Sequence, residues 1–345
     1  MKIGIDIRTL MDERYSGVSE FSASLLSELF KADTSNEYVL FYNSFSDISE
    51  RLPDFIKGKK LINPGIPNKI YNYFLTKPFN IPKVDEKLGC DVLYLPHFNF
   101  TAVKNTPIIQ TVHDLSFLRY PEMFSLRKNI WHFALNVKKQ LRRAQKIVAV
   151  SESTKRDVVD LAGVPAERVE VVYSGLNPRF KRLDQGSEEL RRVKDKYKLP
   201  DNYILFLGTI EPRKNVEGLI KAYELLLKDL GASAPDLVLA GGPGWKSERI
   251  YQAYENSSAK ERIKFLGYVE DSDKCALYNL ANIFVYPSFY EGFGFPPLEA
   301  MACGVPVLVG ANSSLVEVVG ESGLVVDPYN ATDIYLNMKE MLGNN

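Results

Sequence analysis

Short apolar runs alternate with helical-period segments through most of the chain, and this rhythm constrains the fold more than any other feature of the sequence. Such runs, bounded by turn residues and separated by helices, read as parallel strands buried on both faces, because each crossover lays a helix over the sheet. In the first half the strands fall at residues 2–7, 38–42, 92–95, 108–112, 146–150 and 169–173. A second series follows at 203–207, 237–240, 263–266, 283–286, 305–309 and 324–326. Between them residues 174–199 carry Gly175, Pro178, a basic cluster and a helical stretch, and break the rhythm. The pattern predicts an α/β protein of two Rossmann-like domains, residues 1–175 and 200–345, connected by residues 176–199. A length of 345 residues agrees, since it exceeds one ordinary hydrophobic core. No short-period repeat suggests a solenoid. The chain stops at Asn345 in a helical segment soon after Asp327-Pro328, so a closing helix is expected to be shortened or absent.

Composition narrows the class. With 45% hydrophobic, 25% charged and 12% aromatic residues, neither disorder nor a fibrous repeat fits. Lys+Arg and Asp+Glu both number 43, so net charge points to no nucleic-acid partner, and none is expected. Cys90, Cys275 and Cys303 form no CxxC pair and read as buried thiols in a reducing compartment. The N-terminus runs directly into an apolar strand without a signal peptide's pattern, and no run approaches the length of a membrane span. The expected location is the cytoplasm or the cytoplasmic face of a membrane.

The most informative stretch is Tyr290-Glu-Gly-Phe-Gly-Phe-Pro-Pro-Leu-Glu-Ala-Met-Ala-Cys-Gly304, after the strand at 283–286. Gly292 and Gly294 disfavour helix between Glu291 and Glu299, Pro296 and Pro297 suit a helix entrance, and Gly304 suits its exit. Glu291 is therefore expected on a loop and Glu299 in the first helical turn. Carboxylates there would accept hydrogen bonds from neutral hydroxyls, while helix N-terminal N–H groups favour an anion. A second motif, Gly208-Thr-Ile-Glu-Pro-Arg-Lys-Asn215, precedes a helical segment at 216–230. Arg213 and Lys214 are cations at a helix start, where the macrodipole disfavours them unless an anion sits between them.

These two motifs resemble the donor-site signature of the retaining glycosyltransferases of family 4, also called group 1. That family has the GT-B fold, in which two Rossmann-like domains with mainly parallel sheets face each other across a cleft. The resemblance implies that Glu299 binds the ribose of a nucleoside diphosphate sugar. It implies that Glu291, Gly292, Phe293, Gly294 and Phe295 form the loop that holds the donor sugar, with backbone N–H groups near Phe293 and Gly294. Arg213 and Lys214 would bind the diphosphate and stabilise it as it leaves.

In the first half, Ser16-Gly17-Val18-Ser19 opens a helical segment at 20–30, too spare for a dinucleotide fingerprint. It resembles the family's N-terminal glycine loop near the donor phosphates, which would make Gly17 donor-binding; a plain strand-to-helix turn would also select glycine. His113 in Thr111-Val-His-Asp-Leu-Ser116 and His97 in Tyr94-Leu-Pro-His-Phe-Asn99 lie at strand C-termini, where open α/β sheets bind ligands. By the resemblance His113 contacts the donor sugar near its reacting end, and His97 is acceptor-side; His132 reads as a helix residue. The phrases around His113 and Gly208 resemble bacterial mannosyltransferases of surface polysaccharide assembly, which favours GDP-mannose as donor and a saccharide or lipid-linked saccharide as acceptor.

Asp271-Ser-Asp273 has the spacing of a DxD metal site, but its place before a helical segment at 274–280 reads as helix capping, and neither a catalytic metal nor a cofactor is expected. Residues 127–146 contain seven Lys/Arg and no acid, interleaved with Trp131, Phe133, Leu135 and Leu141, and residues 68–79 gather aromatics with only lysines as charges. Two readings stay open: amphipathic core helices with a solvated basic face, or a surface for anionic membrane. Two alternatives to transfer are a nucleotide-sugar epimerase of similar fold and a non-enzymatic sugar-nucleotide-binding subunit.

Overall fold

The computed structural model describes residues 1–11, 17–48, 50–75 and 81–343. They form two compact units, one of Met1–Arg119 with Leu126–Ser174, the other of Tyr120–Ser125 with Gly175–Asn345. Ser16 and residues 76–79 of the aromatic stretch lie outside the described residues.

The first unit holds a parallel sheet of β1 (Lys2–Asp6), β2 (Glu37–Phe41), β3 (Lys60–Ile62), β4 (Val92–Leu95), β5 (Ile108–Val112), β6 (Lys146–Ala149) and β7 (Val169–Val171). Their order is β3-β2-β1-β4-β5-β6-β7. Ile5 pairs with Leu40 on one side and Tyr94 on the other, so β1 is central and its apolar residues pack against both layers. The short β3 was not expected from the sequence; it is an edge strand whose residues are largely outside the core. Helices Gly17–Ala32 and Asn68–Leu75 follow β1 and β3.

Of the two readings left open for residues 127–146, an inward apolar stripe holds only in part. The stretch after residue 126 forms helices Leu126–Leu135 and Val137–Arg143, and only Leu135 of the former is buried. Leu126, Ile130, Trp131 and Phe133 are exposed, so the inward apolar stripe is confined to Leu135, Val137 and Leu141. Among the described residues no helix is long and apolar enough to cross a membrane.

The second unit holds a parallel sheet of β8 (Tyr203–Leu207), β9 (Asp236–Ala240), β10 (Ile263–Gly267), β11 (Ile283–Tyr286), β12 (Val307–Gly310) and β13 (Leu324–Val326), ordered β10-β9-β8-β11-β12-β13. Every residue of β8 and β11 is buried, as a doubly covered parallel strand requires. β12 begins two residues later than its apolar run because Gly304, at φ 77°, and the Val305 N–H bonded to the Ala300 carbonyl still belong to the preceding helix's exit.

Helix Glu188–Tyr197 packs on helix Lys274–Asn279, so the stretch read as an interdomain connection contributes to the second unit. Asp273 fixes that contact. It occupies the N-cap position without a capping bond, and its carboxylate instead accepts from Arg192 (2.6 Å), Lys196 (2.7 Å) and Tyr197 (2.9 Å). Asp271 pairs with Lys274 at 2.5 Å. The capping expectation for these two acids is thereby corrected to ion pairing.

In both sheets the order reverses beside the first strand, between β1 and β4 and between β8 and β11. The carboxyl ends of strands at such a reversal leave a crevice for ligands.

Candidate functional site

In the second unit the chain leaves β8 at Gly208 and turns through a short 3-10 segment, Pro212–Lys214, into helix Val216–Leu230. Asn215, at φ 55°, sits in the left-handed region that asparagine tolerates. Its amide donates to the carbonyls of Pro287 (3.1 Å) and Pro328 (2.6 Å), tying this turn to the loops after β11 and β13. A Cβ on Gly218 would lie 2.4 Å from the Asn215 side chain, so glycine there leaves room for the tie. Gly241, at φ 144°, brings the β9 exit against the Gly208 carbonyl, where a Cβ would stand 1.9 Å away.

The turn aims Arg213 and Lys214 at Glu291. Arg213 Nη1 donates to Glu291 Oε2 at 2.7 Å and to the Tyr290 carbonyl at 2.7 Å, and its Nη2 donates to Glu211 Oε1 at 2.9 Å. Lys214 Nζ donates to Glu291 Oε1 at 2.6 Å and to the Tyr286 hydroxyl at 2.5 Å. Glu211, Lys214 and Glu291 are all buried. Burial opposes the charge on Glu291, but Arg213 and Lys214 outweigh it and hold the carboxyl down at about 2. The Lys214 ammonium is pushed down by burial and by neighbouring Arg213, with Glu291 pulling it back up. Since both oxygens of Glu291 receive a cationic donor, we read the cluster as an ionised carboxylate between two cations. Burial and the nearby Glu291 raise the Tyr286 hydroxyl well above its usual range, which keeps it neutral.

The loop bearing Glu291 is pinned from beneath. The Glu291 N–H donates to Ser313 Oγ at 2.8 Å, and Ser314 Oγ donates to the carbonyls of Glu291 (2.9 Å) and Phe293 (2.5 Å). Gly292, Phe293 and Gly294 are buried, and Gly294, at φ 125°, adopts a conformation closed to other residues. The Phe293 and Phe295 rings meet edge to face at 5.2 Å. Helix Phe295–Ala302 then carries Glu299. Glu299 is the fifth residue of this helix, just past the first turn where it was expected, because the helix starts at Phe295 ahead of the proline pair. Its Oε2 accepts from the Tyr278 hydroxyl at 2.8 Å, and burial together with Glu299 keeps that phenol protonated.

The first unit presents its own residues at the β1/β4 reversal. Asp6 closes β1 and pairs with Arg8 at 2.5 Å; Arg8 also donates to the Phe100 carbonyl and Thr101 Oγ1, each at 3.0 Å. His97 follows β4, and the Asn99 amide donates to its Nε2 at 3.2 Å. That bond places the proton on Nδ1, which is buried without a hydrogen-bond partner among the described residues. Burial drops His97 to about 4, against the pull of Asp6. His113 follows β5; its Nε2 donates to the Pro96 carbonyl at 2.8 Å, its ring meets Phe21 edge to face, and burial lowers its pKa. Both imidazoles are neutral near pH 7. Gly17 is the exposed first residue of its helix, and His132 stacks on Phe117 at 4.0 Å.

The structure thus gathers Arg213, Lys214 and Glu291 into one cluster and places Glu299 in the helix beyond. Glu211, Tyr286, Tyr278, Ser313 and Ser314 escaped sequence reasoning; for Glu211 the signal was an acid two residues before Arg213 in the same motif. The buried cysteines remain thiols, with Cys275 and Cys303 sulfurs 3.9 Å apart. Among the described residues no group of three or more His, Cys, Asp or Glu is placed to hold a metal ion.

Comparison with known proteins adds to this geometry. Residues 187–345 match the family model described as glycosyl transferases group 1, and residues 16–180 match glycosyltransferase family 4. O-antigen chain mannosyltransferase B of Escherichia coli is 37% identical over 250 residues, covering 72% of this chain and 63% of that protein. The serotype-specific mannosyltransferase WbdA of Escherichia coli is 37% identical over 231 residues, covering 67% of this chain and 28% of that protein. The chain therefore spans less than two thirds of the length of these relatives. Among solved structures, sucrose-phosphate synthase from Thermosynechococcus elongatus aligns with a TM-score of 0.74 at 19% identity, covering 99% of this chain and 90% of that one. Anabaena Alr3699/HepE in complex with UDP-glucose aligns at 0.70 and 18%, covering 100% of this chain and 90% of that one. At such identities these two likenesses speak for the fold alone.

Proposed function

Because this chain belongs to the group 1 glycosyltransferases of family 4, whose two Rossmann-like units it carries, we propose that it transfers a hexosyl group from a nucleoside diphosphate sugar to a saccharide or lipid-linked saccharide acceptor. The observation that supports this most is the Arg213–Glu291–Lys214 cluster at the strand reversal of the second sheet, built from both halves of the family's donor motif. Mannose, supplied as GDP-mannose, is the favoured sugar, since the relatives at 37% identity are named mannosyltransferases.

Breaking the anomeric C–O bond leaves negative charge on the diphosphate and positive charge on the sugar. Arg213 and Lys214 meet the first, aided by backbone N–H groups near Phe293 and Gly294; for Gly17 a role at the donor phosphates is implied by the family resemblance alone. Glu291 accepts from sugar hydroxyls, and Glu299 accepts from the ribose. The family resemblance assigns His113, neutral with its Nε2–H committed to the Pro96 carbonyl, to the donor sugar's reacting end, and His97, with its Nδ1–H, to the acceptor side. No covalent nucleophile is invoked. The acceptor hydroxyl attacks the face from which the diphosphate departs, gives its proton to the leaving phosphate oxygen, and retains the anomeric configuration. No metal or other cofactor enters this scheme.

The test is incubation with GDP-mannose, UDP-glucose or other nucleotide sugars and a panel of mannose-terminated saccharides, read by mass and by the anomeric proton coupling of the product. A product one hexose heavier with retained configuration is expected. Interconversion of free nucleotide sugar without acceptor would instead assign an epimerase, and binding without turnover a partner subunit.

A further inference from the structure

The buried tyrosines Tyr94, Tyr203, Tyr223, Tyr278 and Tyr286 all carry a hydrogen-bond partner on the hydroxyl. Tyr94 meets Thr111 Oγ1 at 2.8 Å, Tyr203 donates to the Leu277 carbonyl at 2.7 Å and Tyr223 to the Pro235 carbonyl at 2.9 Å, while Tyr278 and Tyr286 are held by Glu299 and Lys214. Tyr71, on helix Asn68–Leu75, differs: it is 1% exposed, and its hydroxyl has no partner among the described residues. A buried hydroxyl left unpaired costs stability, and departures of this kind from polar satisfaction fall at functional sites.

The position of Tyr71 is fixed from two sides. Asn43, fully buried just after β2, donates to the Ile66 carbonyl at 2.8 Å and to Asn68 Oδ1 at 2.5 Å, which anchors the start of the helix, and the Phe41 ring lies 6.2 Å from that of Tyr71. The Asp6–Arg8 ion pair lies close enough for both charges to act on the Tyr71 hydroxyl, in opposite senses. Burial prevails and pushes the phenol up to about 12, so it stays neutral and able to donate or accept. The same two charges act on His97, whose Nδ1–H is a second buried group without a partner among the described residues. Arg8 spans the distance between them, its guanidinium 5.3 Å from the Phe41 ring and bonded to the carbonyl of Phe100, three residues beyond His97.

Charge identifies the class of ligand. Asp6 and Arg8 neutralise each other at 2.5 Å, both buried, and His97 and Tyr71 carry no charge near pH 7. These four side chains leave no uncompensated cation for a phosphate or carboxylate, and burying an anion without one is costly. A sugar hydroxyl both donates and accepts, so neighbouring hydroxyls on one ring can take the Nδ1–H of His97 and pair with Tyr71 without adding charge. The donor's charge is met by the cluster in the second unit; a group in the first unit with none to offer suits the other reactant. We infer that Tyr71 and His97, set around the Asp6–Arg8 pair, form a subsite for the hydroxyls of a neutral acceptor sugar and exclude an acceptor that is phosphorylated there. This deepens the proposed transfer and rests on it for naming the sugar as acceptor; the binding of a neutral saccharide does not depend on turnover.

The experiment is calorimetry of the full chain and of Tyr71→Phe, with GDP or UDP present, against a panel of neutral disaccharides and the same disaccharides phosphorylated on the terminal sugar. The native chain is expected to bind a neutral probe at least tenfold more tightly than its phosphorylated counterpart. Tyr71→Phe, which removes one oxygen, should weaken the neutral probe about tenfold and leave nucleoside diphosphate affinity within twofold. Its melting temperature should hold or rise by about 2 °C, because the substitution deletes an unpaired buried hydroxyl and breaks no bond. The Nδ1–H resonance of His97 should shift when the neutral probe is added. Equal affinity of native and variant chains for the neutral probe overturns the inference, as does a phosphorylated probe bound as tightly as the neutral one or a His97 resonance that does not move. A lower melting temperature with disaccharide affinity intact would mark a structural water on the hydroxyl, and a matching loss of diphosphate affinity would assign Tyr71 to the donor; either overturns it too. If the native chain binds no disaccharide, the subsite fails, and because diphosphate binding and transfer are read separately, that failure remains distinguishable from failure of the proposed reaction.

Discussion

Glu291 Oε1 lies 2.6 Å from Lys214 Nζ, across 77 residues of sequence, with its other oxygen on Arg213. The carboxylate thus occupies the positive site that the proposed reaction needs for diphosphate. A donor must draw these cations away from Glu291, freeing the carboxylate for sugar hydroxyls. Glu291→Gln should therefore bind the bare nucleoside diphosphate about tenfold more tightly, a gain of about 1.4 kcal/mol, while transfer falls by about 10²-fold or more. Calorimetry with the diphosphate and with the full donor, beside steady-state rates, reads the split. Equal weakening towards both ligands would mean that Glu291 organises the site without competing for it.

Glu299, held by the Tyr278 hydroxyl, is the proposed ribose acceptor. Glu299→Ala removes a buried acceptor and should weaken nucleotide binding by about 1–3 kcal/mol, whereas Tyr278→Phe removes one orienting bond and should cost about 1 kcal/mol. Titration calorimetry on the folded variants checks both, and unchanged affinity in Glu299→Ala rejects the ribose assignment.

Asp273 offers a stability test remote from the cluster. Burial pushes its pKa up, but the bonds from Lys196, Arg192 and Tyr197 prevail and hold it at about 2, below the ordinary 3.8. A depressed folded pKa gives stability that is present above the unfolded value and lost as pH falls from about 4 towards 2. Because Arg192 and Lys196 are substantially solvent-exposed, the contribution is about 1–2 kcal/mol, less than the full shift implies. Asp273→Asn should lower the melting temperature by about 2–4 °C at pH 7, with the gap closing near pH 2. A gap independent of pH would assign the effect to packing.

The sequence carried the sheets well because their strands are doubly buried, and continuous apolar runs such as Tyr203–Leu207 announce themselves without alternation. Where burial is slight the signal fails, as at edge strand β3. Helix Leu126–Leu135 left two readings open because its apolar residues have the composition of a core helix, and composition does not say which face meets water. At the site, residue types and spacing exposed Arg213, Lys214 and Glu291 singly, yet not that they pair with one another. Tyr286 and Ser313 were illegible because their roles exist only through contacts distant in sequence, whereas Glu211 lay two residues before Arg213 in the same motif and only its pairing was hidden.

Metal-free transfer, as proposed, depends on how the charges of the cluster are exchanged when the donor binds. Arg213 and Lys214 are balanced by Glu211 and Glu291, so the four side chains carry no net charge in the ligand-free state. A diphosphate entering such a site gains attraction only as Arg213 and Lys214 exchange Glu291 for the phosphates, with Glu211 remaining as the acidic partner of Arg213. If that exchange suffices, transfer requires no divalent ion to neutralise the leaving group. Rates measured after exhaustive EDTA treatment should then stay within about twofold of the untreated protein, because a leaving group that lost its main stabilising charge would slow by 10²-fold or more. Glu291→Gln serves as the internal control, since it removes the competing carboxylate and should make diphosphate binding still less sensitive to chelation. Loss of transfer under EDTA, restored by magnesium or manganese, would show that the freed cations are too few and that a metal completes the charge.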